Sequence, residues 1–105
     1  MEGNELICFQ IISSVGTARS CYIEAIQKAK NNCFEEAWDL IAEGEKSFVD
    51  GHHAHVELIQ KEAAGEKNEI NLLLIHAEDQ LMSAEAFRII AEELIVIHEK
   101  LNKDD

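Results

Sequence analysis

The chain contains no proline, and glycine occurs five times in 105 residues. These two residues are the strongest local punctuators of regular structure, so their scarcity excludes a frequently broken chain and argues for long helices. Basic residues are also few: nine Lys and Arg stand against 21 Asp and Glu, a net charge of −12 with a pI near 4.7. Binding to a phosphate backbone needs a basic face, so nucleic acid is disfavoured as a partner. A polybasic contact with a membrane surface is disfavoured for the same reason. No apolar run approaches the roughly 18 residues of a membrane span, and the acidic N-terminus lacks the basic region of a signal peptide. The expectation is a soluble, intracellular protein. Cys8, Cys21 and Cys33 form no Cys-x-x-Cys pair, and their odd number makes a poor disulfide framework. They read as buried small hydrophobes, none beside a cation cluster that would mark a reactive thiolate.

With 47% hydrophobic residues, the chain is long enough for one domain, residues 1–105, with a real core. The first helix is expected over about residues 2–31, with Leu6, Ile11 or Ile12, Val15, Ala18, Tyr22, Ala25, Ile26 and Ala29 as its apolar stripe. Gly16 interrupts it at a cost of about 1 kcal/mol against Ala, a cost usually offset by close approach of a neighbouring backbone. Arg19 reads as a solvated or salt-bridged residue, or as a contact to phosphate. Asn31-Asn32 can adopt the left-handed conformation that ends a helix. A second helix follows over about 34–64, its stripe running Ala37, Trp38 or Ile41, Phe48, His52, His55 or Val56, Ile59 and Ala63, weakened by Gly44 and Gly51 without ending there. Gly65 suits the position after its last turn. Asn68 is the expected cap of a third helix over about 68–102, followed by a frayed Lys103-Asp104-Asp105 tail. Three such helices joined by short turns form an all-α, antiparallel up-down-up bundle.

The third helix carries two apolar seams. One runs Ile70, Leu73, Leu74, Ala77, Leu81, Ala84. The other runs Leu72, Ile75, Asp79, Met82, Ala86, Ile89, on nearly the opposite side at about 100° per residue. One seam can face the protomer's own core, and the other requires a second burial partner, most simply another copy of the chain. Asp79 lies within that second seam. A carboxylate buried there must be paired, protonated or metal-bound. Packing around a rotation axis would bring its copies together, a charge conflict that a hard divalent cation resolves. The alternative is an Asp at the seam's edge, met by Lys or water.

His76 stands one turn before Asp79, and an imidazole there could be a metal ligand, a general base or a covalent nucleophile. No His-Glu-x-x-His exists, and no Ser or Cys is placed as its nucleophile. In Gly51-His52-His53-Ala54-His55, His52 and His55 share a helix face and His53 points away. Two histidines without a third ligand make a weak metal site, and a crevice-lining role fits better. His98 carries no distinguishing context. The acidic residues, including Glu35-Glu36, Glu92-Glu93 and Glu99, read as solvated faces.

His76 to Met82 reads His-Ala-Glu-Asp-Gln-Leu-Met, and the first helix holds Gly16-x-Ala-Arg-Ser. With Glu24-Ala25 to Ala29, Leu58-Ile-Gln-Lys-Glu-Ala63 and the Leu94-Ile-x-Ile-His-Glu-Lys-Leu ending, the chain resembles the enzyme IIA component of the lactose/cellobiose (chitobiose) class. This class belongs to the bacterial phosphoenolpyruvate-dependent sugar phosphotransferase system. The resemblance covers about Leu6 to Leu101. It implies a cytoplasmic homotrimer of three-helix protomers, with His76 as the residue phosphorylated (on its tele nitrogen) and Asp79 as ligand to a divalent cation such as Mg2+ on the trimer axis. It also implies HPr as phosphoryl donor and a cysteine of the IIB component as acceptor during disaccharide uptake. The sugar is handled by the membrane-embedded IIC component. Gln80, Met82, His52 and His55 would then line the site. Three positions depart from the family's pattern: Gln80 replaces a frequent His, His55-Val56 replaces Gln-Thr, and Asn32-Cys33-Phe34 replaces Gly-Asp-Phe. A rival of another class is a non-catalytic acidic adaptor, or a regulatory trimer, of the same fold. A metal-storage bundle ranks last, because the Glu-x-x-His pairs of di-iron bundles are missing.

Overall fold

The computed structural model describes residues 3–103. Within them the chain forms α1 (Asn4–Lys30), α2 (Phe34–Ala63) and α3 (Leu72–Lys103). The three helices lie side by side as a rod of 58 × 21 × 20 Å. The all-α bundle expected from the sequence is thus observed. The expected helix start at Glu2, and Asp104 and Asp105 of the expected frayed tail, fall outside the described residues, and Lys103 closes α3.

Both anticipated helix stops are formed by local chemistry. Asn32 takes a φ of 63°, and the backbone N–H of Asn32 and Cys33 donate to Ala29 and Lys28. Gly65 has a φ of 90°, with Gly65 and Glu66 donating to Glu62 and Lys61. Each is the paired hydrogen-bond closure that satisfies the last carbonyls of a helix.

The start of α3 differs from expectation. Residues 66–71 are not helical, so Ile70 belongs to no seam and is 79% exposed. Asn71 provides the cap, its Oδ1 accepting from the Leu74 N–H at 2.9 Å. Asn68 is engaged elsewhere: its Nδ2 donates to the Leu58 carbonyl, and its Oδ1 accepts from Asn4 at 2.7 Å. That tertiary tie stitches the α2–α3 connection to the start of α1.

Helix α1 is the central packing element. It makes its largest contact with α2 and a smaller one with α3, while α2 and α3 touch each other least. Its length and composition alone would allow a membrane crossing. Yet Ile7, Cys8, Ile11, Val15, Ala18, Tyr22, Ala25 and Ala29 face the bundle and form the core. Leu6, expected in the stripe, is 46% exposed, and Ile7 takes its place. On α2 the buried line runs Ala37, Ile41, Gly44, Gly51, Leu58, while Ile59 faces outward. The glycines follow from this line. A Cβ on Gly44 would stand 2.6 Å from the Tyr22 ring, and one on Gly51 would stand 2.7 Å from Val15. They let α2 approach α1 closely. Gly16 corrects the expectation placed on it, because nothing lies within 4 Å of the position its Cβ would take. The cysteines are all free, but only Cys8 is buried; Cys33 is exposed in the first turn.

Candidate functional site

Two flanks and one outward face of α3 present chemistry to the surface. Ala77, Leu81, Ala84, Ala91 and Ile95 point into the bundle. The opposite face carries Leu72, Ile75, Met82 and Ile89, which are 81%, 55%, 68% and 51% exposed. Exposed Asp79 and Ala86 complete this row. The second seam is therefore present and has no partner within the protomer. Past Ile89 it continues through exposed Ile90, Glu93, Ile97 and Leu101, so it runs the length of the helix. Monomeric proteins rarely expose a continuous apolar row of this length.

His76 is exposed, in the second turn of α3, on the rim of that row. With Leu72 and Leu73 it lines a shallow apolar depression of about 380 Å³. Gln80 lies one turn further along the same flank. Met82, by contrast, belongs to the outward row, six residues and about 600° of rotation from His76.

His52 and His55 occupy the other flank. With Phe48, Val49 and Ile59 of α2 and Leu81 of α3 they line a groove of about 410 Å³ between the two helices. His52 stacks on Phe48 with ring centroids 6.4 Å apart and planes inclined by 14°. His55 Nε2 lies 2.6 Å from Glu78 Oε1, a cross-helix contact not anticipated from the sequence. The structure thus does not bring His52 or His55 to His76 inside one protomer. The sequence gives spacing along a helix but not which flank of α3 turns toward α2. His53, as expected, faces away, beside Ser14 and Asp50.

Electrostatics along the α2–α3 seam are local. Besides the His55–Glu78 contact, Arg88 Nη1 pairs with Glu45 Oε2 at 3.2 Å and Trp38 Nε1 donates to Glu99 Oε2 at 3.2 Å. Arg19 forms no ion pair among the described residues. Burial pushes the Cys8 thiol up, helped by Glu78 and Glu5, which disfavours its thiolate. Among the described residues, no three His, Cys, Asp or Glu side chains gather to hold a metal ion. Asp79 is a hard oxygen donor on the outward row, and the row's other carboxylate, Glu93, lies about 21 Å further along the helix.

Comparison with known proteins agrees with this geometry. Residues 6–99 match the family described as PTS system, Lactose/Cellobiose specific IIA subunit. The lichenan-specific phosphotransferase enzyme IIA component of Bacillus subtilis is 42% identical over 102 residues, covering 97% of this chain and 93% of the relative. The crystal structure of the PTS cellobiose-specific enzyme IIA from Bacillus anthracis superposes with a TM-score of 0.95 at 40% identity, covering 100% of this chain and 97% of the other. The IIA(chitobiose) chain of an IIA–HPr complex from the diacetylchitobiose branch of the Escherichia coli system superposes with a TM-score of 0.83 at 30% identity, covering 97% and 99%. The chain belongs to the lactose/cellobiose-specific IIA subunits of the phosphotransferase system, and is a component of that phosphotransferase machinery.

Proposed function

We propose that this chain is a cytoplasmic phosphoryl carrier whose reactive group is His76. The neutral tele nitrogen, Nε2, attacks phosphorus of histidine-phosphorylated HPr in line. A new P–N bond forms as the donor's P–N bond breaks, and the donor imidazole departs with the electron pair. A cysteine thiolate of the IIB component then attacks the same phosphorus and displaces His76. The chain's task is to present the ring and limit water, since the phosphoramidate needs no further activation to transfer. Leu72 and Leu73 give His76 an apolar floor that suits both demands. The absence of a basic cluster fits a docking partner that brings its own positive groups to an acidic surface.

The single observation that carries this reading is the position of His76, solvent-exposed at the edge of an apolar row with no partner in the protomer. That row is covered when copies of the chain assemble as a homotrimer around α3. Each copy would add one Asp79 carboxylate near the axis, and three hard oxygen donors suit a divalent cation such as Mg2+. The cation would neutralise carboxylates in an apolar interface, and no transfer step needs it. Gln80 lies beside His76 on its own helix, whereas His52, His55 and Met82 would reach the completed cleft only when contributed across such an interface.

Incubation with phosphoenolpyruvate, enzyme I and HPr should place one acid-labile phosphate on the chain, detected by intact mass. His76→Ala should take up none. Labelling of that variant at the wild-type rate would dismiss the assignment.

A further inference from the structure

The carrier chemistry leaves the contact between His55 and Glu78 unused, and its placement gives it a role. Helices α2 and α3 have the least contact of the three pairs, and three side-chain ties span them. The tie between His55 and Glu78 is the shortest, at 2.6 Å, and lies nearest the start of α3. The His55 side chain is 15% exposed and that of Glu78 43%, so the imidazole end of the tie is sheltered while the carboxylate end meets water. An ionised carboxylate only accepts hydrogen bonds, so Nε2 carries the donated proton.

We propose that His55 is a positioning residue for His76, acting through Glu78 to set the rotation of the first turns of α3; the proposal rests on the carrier reading above. Glu78 follows His76 by two residues, about 200° around the axis, so the tie and the reactive ring occupy opposite flanks. The start of α3 needs such a tie. Non-helical residues 66–71 precede it, Leu73 and Leu74 pack against the core only partly buried, and Ala77 is its one fully buried residue before Leu81. A methyl group and two half-buried leucines restrain rotation less than the fully buried positions further along. An imidazole stands about 6 Å from the helix axis, so a rotation of about 20° displaces it by about 2 Å. Misplacement by about 1 Å can cost roughly 100-fold in a reaction that depends on in-line approach.

The test compares His55→Leu, which fills the same space without a donor, with His55→Gln, whose amide can still donate to Glu78. Transfer from phosphorylated HPr is followed in single turnovers, and amide hydrogen exchange is followed in parallel. In His55→Leu, amides of residues 74–80 should exchange several-fold faster while those of residues 91–95 keep their wild-type rate. Its saturating transfer rate should fall roughly tenfold, with the half-saturating HPr concentration unchanged. His55→Gln should restore both. A His55→Leu variant with wild-type exchange, or with the wild-type rate, overturns the proposal, as does a His55→Gln variant as slow as His55→Leu. If wild-type His76 takes no phosphate, the carrier reading and this proposal fall together. A labelled His76 beside an unaffected His55→Leu removes this proposal alone.

Discussion

The inward face of α3 alternates small and large residues, with Ala77, Ala84 and Ala91 fully buried alongside Leu81 and Ile95. The outward face is built from larger ones, with Leu72, Ile75, Met82 and Ile89 each more than half exposed. The small residues let α3 lie close to α1, so the inward face gains by close packing more than by area. The outward face carries large apolar side chains with no cover within the protomer. Fully burying one such side chain contributes about 1.5–3 kcal/mol. Four of them give on the order of 5–10 kcal/mol per protomer before the costs of association. The helix that closes the protomer thus also carries a row of large, uncovered hydrophobes on the side turned away from it.

Glutamate placed on each face separates the two roles most strongly. Ile95→Glu puts an uncompensated charge at a fully buried position and should destabilise the fold by at least about 3–5 kcal/mol. Ile89→Glu should alter the folded protomer by less than about 0.5 kcal/mol, yet disperse the assembly. Thermal unfolding and sedimentation read the two effects, and an intact trimer in Ile89→Glu would reject the outward row as the interface. Asp79→Leu should act oppositely, strengthening assembly by about 1–4 kcal/mol and leaving it intact in chelator. Loss of assembly in that variant would contradict carboxylates gathered around one ion.

Within the core, Tyr22 supplies a pH-dependent check. Its side chain is fully buried, its hydroxyl has no hydrogen-bond partner among the described residues, and burial, followed by the nearby Glu45, pushes its pKa up to about 12. The folded state therefore favours the protonated phenol. The associated stability is fully present below the unfolded value near 10 and is lost as pH rises toward 12. The loss is about 2–3 kcal/mol for a shift of this size. Tyr22→Phe should flatten that decline between pH 10 and 12 in denaturant titrations. Gly44→Ala, which drives a methyl into the Tyr22 ring, should cost about 1–3 kcal/mol. Gly16→Ala meets nothing within 4 Å and should stabilise by about 0.5–1 kcal/mol. Equal effects from the two glycine substitutions would show that α1 and α2 are not in close contact at Gly44.

Features fixed by neighbours in sequence could be read without coordinates. Asn32 and Gly65 announced their helix ends because a left-handed residue is a local requirement. The two seams of α3 followed from spacing alone. Features that depend on a distant partner could not be read in this way. Asn68 and Asn71 are equally good caps, and the bond from Asn4 to Asn68 decides between them. Gly16, Gly44 and Gly51 look alike in sequence, and only the packing of α1 on α2 distinguishes the open position from the crowded ones. The spacing pointed to His76 with Asp79 one turn on as the candidate site, and both are exposed on α3. The His55–Glu78 contact was not legible, because sequence spacing does not show which flank of α3 faces α2.

The central claim is that the His76 imidazole carries the phosphate. Phosphorus NMR of the 15N-histidine-labelled chain, after phosphorylation through HPr, tests it directly. The account predicts one phosphoramidate resonance, coupled to Nε2 of a single ring and lost in His76→Ala. A resonance that persists in that variant, or one assigned to His52, His53, His55 or His98, would contradict it.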